Sequence, residues 1–169
     1  DEAIALSDTR YSPADVSFMQ GMIVHHGQAV EMAALVDQRT SNEQIRAIAD
    51  RIDGSQADEI AFMTEWLESR GEPIAMQGMG GMQHHAGMNH AEHMDMMGMA
   101  SPEQMAALAD ADGAEFDRMF LNLMIRHHQG AIEMVQDLHR QPGSAYDPVM
   151  FEFTNDIVND QETEIERMN

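Results

Sequence analysis

The chain has 169 residues, no Cys, no Lys and a formal net charge of −21, because 30 Asp and Glu residues oppose nine Arg. This length suits a single domain, the lack of Cys excludes disulfides, thiolate metal sites and thiol nucleophiles, and the charge disfavours nucleic acid and anionic lipid as partners. No apolar run approaches the roughly 20 residues that cross a bilayer, so no membrane insertion is expected. Met and His are over-represented, with 18 and nine copies, and both side chains are metal ligands.

The N-terminal part of the chain predicts a helical hairpin. A first helix is expected over 12–38, with Ser12 as its N-cap and a Pro at the first helical position, which favours that residue. A second helix is expected over 41–70, with Ser41 and Gln44 at capping-box spacing. Because only two or three residues join them, the two helices should be antiparallel neighbours.

Residues 74–100 differ in composition from the rest of the chain. These 27 residues include eight Met, four His and five Gly but no Lys, Arg, Leu or Val, so they should form a loop that is mobile without metal. A plain spacer is the alternative, but spacers are usually rich in Gly and Ser or in Pro. The composition therefore predicts a tract of soft metal ligands, which are Met76, Met79, Met82, His84, His85, Met88, His90, His93, Met94, Met96, Met97 and Met99.

The C-terminal part predicts three more helices. A short helix is expected over 101–110, where Ser101 begins a Ser-Pro-Glu-Gln capping sequence. A long helix should span 114–140, and a last one should run from Asp147 and the following Pro to near the C-terminus. The Asp-Gly pair before residue 114 indicates a helix stop. Alternating β-branched runs, which are typical of strands, are almost absent, so the predicted fold class is all-α.

The two halves of the sequence repeat each other. The pattern D-x-x-F-x-x-x-M-I-x-H-H begins at Asp15 and again at Asp117, an offset of 102. The pattern Q-x-x-E-I-x-x-M begins at Gln56 and again at Gln161, an offset of 105. Two copies of one helical hairpin predict an antiparallel four-helix bundle with a pseudo-twofold axis. The predicted single domain covers 1–169 and consists of repeat one (12–70), a Met/His-rich linker (74–100) and repeat two (114–169).

Both histidine pairs are predicted to flank an inward helix face, because at 100° per residue they lie on the same side as neighbouring Met residues. A lone His or Met there is usually part of the core. Two adjacent His that recur with Met three residues before and seven residues after them favour a metal role instead. The candidate ligands on these faces are Met22, His25, His26 and Met32 in repeat one, Met124, His127, His128 and Met134 in repeat two, and, with less support, Met19.

The partner helices each carry one carboxylate on an otherwise apolar stripe. Glu59 and Glu164 are these carboxylates, and each is followed four residues later by a Met, Met63 or Met168. A buried carboxylate without a partner is costly, so each Glu needs one. A His on the facing helix or a metal ion would provide it, which makes these four residues secondary candidate ligands.

The softness of the ligands indicates which metal is bound. Thioethers bind Cu(I) and Ag(I) readily, and imidazole suits Cu(II) as well as Cu(I). A carboxylate-bridged di-iron centre is the main alternative, but it needs Glu-x-x-His motifs. The long helices lack that motif, and Glu31 and Glu133 lie on the side opposite the histidines.

These residues resemble the signature of the bacterial family called domain of unknown function 305. The resemblance is carried by M-I-x-H-H from Met22 and by M-I-R-H-H-Q-G-A-I-E-M from Met124 to Met134, and it extends over nearly the whole chain. It implies a ferritin-like four-helix bundle that is exported and that, like the CopM-like copper-binding members, binds Cu(I), Cu(II) and often Ag(I). The family's metal role would fall on His25, His26, His127, His128 and the matching Met residues.

The resulting hypothesis is an extracytoplasmic copper-binding protein, periplasmic or secreted, that sequesters copper or passes it to another copper-trafficking protein. The sequence begins at Asp1 without a leader, so we expect an export signal to have been removed. Two alternatives stay open at this point. One is a metal-dependent oxidase, either a cuprous oxidase or a di-iron protein, and the other is a structural bundle whose Met and His content is incidental.

Overall fold

The computed structural model describes residues 11–75 and 98–169, and this part of the chain contains helices and no strand. The predicted all-α class is therefore confirmed, and the predicted helix positions agree with the structure to within about two residues. The helices are α1 (Pro13–Arg39), α2 (Glu43–Ser69), α3 (Pro102–Asp110), α4 (Gly113–Arg140) and α5 (Pro148–Met168).

Local capping explains where most of these helices begin. Ser12 forms a capping box at the start of α1, and Ser101 forms another at the start of α3, as their sequences predicted. The prediction for α2 was wrong, because Asn42 rather than Ser41 is its N-cap and accepts a hydrogen bond from the Gln44 N–H at 3.1 Å. An Asn side chain competes well with Ser at this position.

The predicted helix stop before residue 114 has a different role. Helix α3 already ends at Asp110, and Asp112 is the N-cap of α4 without a side-chain capping bond. Gly113 is the first residue of α4 and has φ +57, a conformation that Gly adopts at little cost. The Asp-Gly pair therefore begins the next helix.

The long helices form a four-helix bundle from two hairpins. Helix α1 packs along α2, α4 packs along α5, and α1 and α4 join the hairpins, whereas α2 and α5 touch over a shorter stretch. Two apolar clusters fill the interior. One surrounds Met19, Trp66 and Met150, and the other surrounds Ile52 and Phe116. Along each long helix, residues of the two clusters are separated by polar positions, so a polar layer lies at the middle of the bundle.

Each hairpin also holds the interhelix loop of the other. Asp15, which is fully buried in α1, accepts a hydrogen bond from the N–H of Ala145 at 2.8 Å, in the loop between α4 and α5. Its repeat counterpart Asp117 accepts from the side-chain amide of Asn42 at 2.9 Å, in the loop between α1 and α2. These reciprocal contacts tie the two hairpins together at both ends of the bundle.

Both flanks of the Met/His-rich linker are attached to α1. The side-chain amide of Gln20 donates to the carbonyl of Pro73 at 2.6 Å. Gln28 makes two hydrogen bonds to the backbone of Ala100, of 2.9 and 2.7 Å. Residues 98–100 are buried, so the last three residues of the predicted linker belong to the packed part of the protein. A Cβ at Gly98, where φ is +71, would collide with the carbonyl oxygen of Arg126.

Candidate metal site

The polar layer at the middle of the bundle contains both histidine pairs. All four histidines are completely buried, as the helix-face analysis predicted. Helix α2 adds Gln56 and Glu59 to the layer, and α5 adds their repeat counterparts Gln161 and Glu164. The amide of Gln56 donates to the amide oxygen of Gln161 at 3.4 Å, so the layer is also bridged between α2 and α5.

Each of the two glutamates in the layer pairs with a histidine of the facing helix. His26 Nε2 is hydrogen-bonded to Glu59 Oε2 within the first hairpin. His128 Nε2 makes the equivalent bond to Glu164 Oε2 at 2.6 Å within the second hairpin. The expectation that each carboxylate needs a partner is therefore met by a His in both repeats. In a carboxylate–His pair of this kind the Glu fixes the orientation of the imidazole ring.

The remaining two histidines meet at the pseudo-twofold axis. The rings of His25 and His127 are 3.8 Å apart between centroids and tilted by 33°. His127 Nε2 donates to the carbonyl oxygen of His25 at 2.8 Å. Since a carbonyl oxygen only accepts hydrogen bonds, the proton of a neutral His127 lies on Nε2, and its Nδ1 carries the lone pair.

Three buried imidazole nitrogens in this layer have no hydrogen-bond partner. They are the Nδ1 atoms of His26, His127 and His128. When Nε2 of His26 or His128 donates to its Glu, its Nδ1 also carries a lone pair. A buried acceptor without a donor is uncommon in proteins. Each of the three rings is held in place by a hydrogen bond at Nε2. Its Nδ1 is therefore fixed in direction and carries the lone pair that a metal ligand needs.

Burial keeps His26 and His127 neutral, which is the form that binds metal. Desolvation by burial, with a smaller contribution from His128, lowers the pKa of His26 to about 3. Burial and the neighbouring His25 and His128 hold the pKa of His127 well below its ordinary value. For Glu59, burial and the charge of Glu164 act in the opposite direction and raise its pKa to about 7.

The repeat symmetry of the layer is broken at one pair of positions. The Ser55 hydroxyl on α2 donates to Glu164 Oε1 at 3.0 Å, so Glu164 accepts hydrogen bonds at both oxygens. At the offset of 105, the counterpart of Ser55 is Asp160. Burial and the charges of Glu59 and Glu164 raise the pKa of Asp160. The environment of Glu59 therefore contains a carboxylate where that of Glu164 contains a hydroxyl donor.

The predicted Met ligands of the helices are buried, except for one. Met22 and Met124 precede His26 and His128 by four residues, which places each Met on the same helix face as the histidine one turn away. The thioethers of these two Met residues are therefore the nearest soft candidates in sequence. The predicted Met residues that are buried are Met19, Met22, Met32, Met63, Met124 and Met168, while Met134 is partly buried.

The histidine layer does not form a multi-His centre. Within 11–75 and 98–169, no group of three or more His, Asp or Glu side chains is arranged to hold a metal ion. The structure instead groups the histidines into two His–Glu pairs and one stacked His pair. A metal site on the helices would therefore need Met ligands in addition to imidazole, and the assignment of individual ligands stays a prediction.

Most of the predicted linker ligands lie outside the described residues. Met99 is described and is buried with 5% exposure. The linker candidates outside the described residues are Met76, Met79, Met82, His84, His85, Met88, His90, His93, Met94, Met96 and Met97.

Some residues of the layer were not identified from the sequence. Gln56 and Gln161 were recognised as repeat positions but not as a bridge, and the role of Ser55 opposite Asp160 was missed. The offset of 105 pairs Ser55 with Asp160 and could have shown this departure from the repeat. It carries no signal for the contact of Ser55 with Glu164 on the facing helix. Gln28 was also missed, since its partner at Ala100 is 72 residues away.

Known proteins match this chain over nearly its whole length. The model of the family described as Domain of unknown function (DUF305) matches residues 15–169. The structure of a DUF305 fragment from Deinococcus radiodurans is 32% identical, covers 94% of this chain and 94% of that chain, and has a TM-score of 0.79. A DUF305 protein from Streptomyces coelicolor, named as a candidate secreted protein, is 32% identical over 92% of this chain and 88% of that chain, with a TM-score of 0.76.

Structures of a metal-binding protein also match. CopM in its Cu(I)-bound form is 28% identical over 91% of this chain and 91% of that chain, with a TM-score of 0.66. CopM structures in Cu(II)-bound and Ag-bound forms are 31% and 28% identical to this chain. No curated protein sequence matches significantly. In the described residues, no helix is both long and apolar enough to cross a membrane.

Proposed function

Because the chain belongs to the DUF305 family, we propose that it is a copper-binding protein that works outside the cytoplasm and holds Cu(I), Cu(II) and Ag(I) through Met and His. Its role would be copper sequestration, trafficking or resistance. The Cu- and Ag-bound forms of CopM, at 28 to 31% identity, support the choice of metal. The Streptomyces coelicolor relative, named as a candidate secreted protein, and the lack of Cys support the location.

The observation that carries this proposal is the set of buried imidazole nitrogens without a partner. His26 and His128 each have Nε2 bonded to a glutamate and Nδ1 without a hydrogen bond. An imidazole held by a carboxylate from one side is a typical metal ligand on the other side. Met22 and Met124, one helical turn away, would add soft thioether ligands that favour Cu(I) and Ag(I).

Two classes of site are proposed. The helical sites use His25, His26, His127 and His128 with nearby Met residues, on a scaffold that is already folded. The linker sites use Met and His of residues 74–100 and rest on ligand chemistry alone. Ordering a chain segment costs about 1–2 kcal/mol per residue, so the linker sites should bind each ion more weakly and exchange ligands more freely. Metal held in this way could be passed to another copper-trafficking protein.

Metal titration followed by elemental analysis tests the proposal. The protein should retain Cu(I) and Ag(I) under anaerobic reducing conditions and Cu(II) under air, and Zn²⁺ at equal concentration should not displace Cu(I). Displacement by Zn²⁺ would contradict the thioether argument. Sustained oxidation of Cu(I) under air, faster than that of free copper, would point to an oxidase instead.

Two variants separate the helical sites from the linker sites. The double variant His26→Gln with His128→Gln should lose discrete helical sites while the linker sites survive. His139→Gln is the matched control, because His139 is exposed and hydrogen-bonded to Thr154 at 2.8 Å, outside the layer. Replacing residues 76–97 with a Gly/Ser segment should lower the number of bound Cu(I) and leave the helical content unchanged. If that replacement abolishes all copper binding, the helical histidines are only core residues.

A further inference from the structure

A groove between α2 and α5 lies beside the polar layer, and of its lining residues only Glu59 belongs to the proposed metal sites. It has a volume of about 340 Å³ and is lined on both sides by α2 and α5 residues. Phe62 and Phe153 lie across it with ring centroids 4.2 Å apart. Val149, at the start of α5, is another apolar wall residue and is 49% exposed. The groove therefore offers an aromatic floor that is open to solvent.

Carboxylates surround this apolar floor. Glu59 lines the groove and is bonded to His26. The other four carboxylates belong to Asp58, Glu152, Asp156 and Asp160, and none of these four makes a hydrogen bond or an ion pair within the described part of the chain. Burial and the charges of Glu59, Glu164 and Asp156 raise the pKa of Asp160 overall, although the charge of Arg167 acts in the opposite direction. Like charges close together are unfavourable, so an external cationic group would stabilise the groove.

We propose that this groove docks a segment of a partner protein that presents an apolar side chain flanked by Lys or Arg. The aromatic floor would hold the apolar anchor, and the carboxylate rim would attract and orient the basic residues. A volume of about 340 Å³ is at the lower end of the range of about 300–1,000 Å³ for ligand sites. That volume suits an anchor side chain and its neighbours better than a whole domain.

Charge selects this occupant over the others. A second copy of the chain would bring a net charge of −21 to the same place. Nucleic acid and anionic lipid would be repelled in the same way. A basic protein segment with an apolar side chain would pair with the carboxylates of the rim and also cover the aromatic floor. A small inorganic cation would pair with the carboxylates alone.

The molecule carries a matched control surface. A second cavity, between α1 and α2, is lined by Asp37, Asp50 and Asp53 together with Ala and Val residues. It has the same sign of charge but no aromatic floor. Binding that depends on charge alone would use both surfaces, and binding that depends on the floor would use only the groove between α2 and α5.

The test uses the metal-free full chain and a dye-labelled amphipathic peptide with Leu on one helical face and Lys on the others. Fluorescence anisotropy should show binding that Asp156→Asn with Asp160→Asn weakens about tenfold or more. Asp50→Asn with Asp53→Asn changes the net charge equally and should weaken binding less than about twofold. Val149→Asn, at an exposed position, should weaken it several-fold without affecting the fold, because it removes only apolar wall.

Four results would overturn the proposal. One is equal weakening by the two Asp double variants, which would indicate non-specific attraction. Another is equal affinity for a peptide of the same composition whose Leu residues are spread around the helix. The third is full competition by spermine at the same charge concentration, which would mean that the groove binds small polycations. The fourth is the absence of measurable peptide binding at low salt.

Discussion

The α1–α2 hairpin and the α4–α5 hairpin are two copies of one design that differ in the surroundings of their inward glutamate, Glu59 or Glu164. Both place a histidine pair inside the bundle and bond its second histidine to a Glu of the partner helix. In the second hairpin Glu164 receives an additional hydrogen bond from Ser55. For Glu59 of the first hairpin, the residue that corresponds to Ser55 is Asp160 on α5, and both Glu59 and Asp160 line an open acidic groove.

This difference shows that the repeat motif alone does not determine the properties of the site. The His–Glu pairing follows from residues within each hairpin, whereas the second oxygen of Glu164 is bonded to Ser55 of the other hairpin. The half of the layer around Glu164 contains a neutral hydroxyl donor. The half around Glu59 contains other carboxylates and is open to solvent. We expect five effects, given from the largest to the smallest, and the first two compare matched positions in the two halves.

The largest effect is expected at the aspartates that hold the loops. Asp15→Ala should lower the free energy of unfolding by about 3 kcal/mol, because the carboxylate accepts from Ser12 and from the buried N–H of Ala145. Asp117→Ala should cost less than about 1 kcal/mol, since its bond to Asn42 is exposed and its Oδ1 has no hydrogen bond. Urea denaturation of both variants measures this, and equal losses would contradict it.

The two glutamates should also respond unequally. Glu164→Gln should lower the free energy of unfolding at pH 7 by about 2 kcal/mol, because it disturbs charge-assisted bonds from both His128 and Ser55. Glu59→Gln should cost less than about 1 kcal/mol at the same pH, since removing its charge also removes repulsion from nearby carboxylates. Urea denaturation of both variants measures the two losses of unfolding free energy. A larger loss for Glu59→Gln than for Glu164→Gln would contradict this prediction.

The cost of Glu59→Gln should depend on pH. The pKa of Glu59 is raised to about 7 in the folded state from its ordinary 4.5, so the folded protein binds more protons here than the unfolded chain between these values. The contribution of Glu59 to stability therefore falls as the pH rises through this window. Relative to the variant, the wild type should gain about 2 kcal/mol between pH 7 and pH 5.5. A difference that is constant over this range would contradict the raised pKa.

Much of this layer could be predicted from the sequence because its determinants are local. Helix periodicity placed His26 and His128 inside, and the repeat offset placed Glu59 and Glu164 on apolar stripes that needed partners. These inferences depend only on the 3.6-residue period and on the cost of an unpaired buried carboxylate. The DUF305 resemblance was confirmed. The expectation of copper did not depend on it, because the softness of Met and His ligands and the lack of Glu-x-x-His motifs already favoured copper over a di-iron centre.

The contacts that were not predicted join residues far apart in the sequence. Ala145 reaches Asp15 across 130 residues, and Ala100 reaches Gln28 across 72. Each is a loop backbone group that pairs with a helix side chain, and neither leaves a periodic pattern. The N-cap of α2 was predicted wrongly for a different reason. Ser41 and Asn42 are adjacent, and Ser and Asn have similar preferences for the N-cap position, so the sequence does not show which of them caps the helix.

Exchanging the asymmetric pair is the most direct way to sharpen the comparison. Asp160→Ser should raise the free energy of unfolding by about 0.5–1 kcal/mol, since it removes an exposed carboxylate whose charge is disfavoured by Glu59 and Glu164 and offers a hydroxyl donor. It should also lower the pKa of Glu59, which carbon NMR of the carboxyl group can follow. Ser55→Asp is the reciprocal change and should destabilise the protein. If Asp160→Ser leaves both quantities unchanged, Asp160 does not control the environment of Glu59.

The smallest effect is expected in the loop between α4 and α5. Ala145 has φ +53, a left-handed conformation that a residue with a Cβ adopts at a cost of about 1–2 kcal/mol. Gly has no such cost but loses about 0.5–1 kcal/mol more backbone entropy on folding, so Ala145→Gly should stabilise the protein by only about 0.5 kcal/mol. Because the N–H that donates to Asp15 is retained, the gain should disappear when Asp15→Ala has already released this loop. A double-mutant cycle measures the coupling, and additive effects would mean that Asp15 does not hold Ala145 in its left-handed conformation.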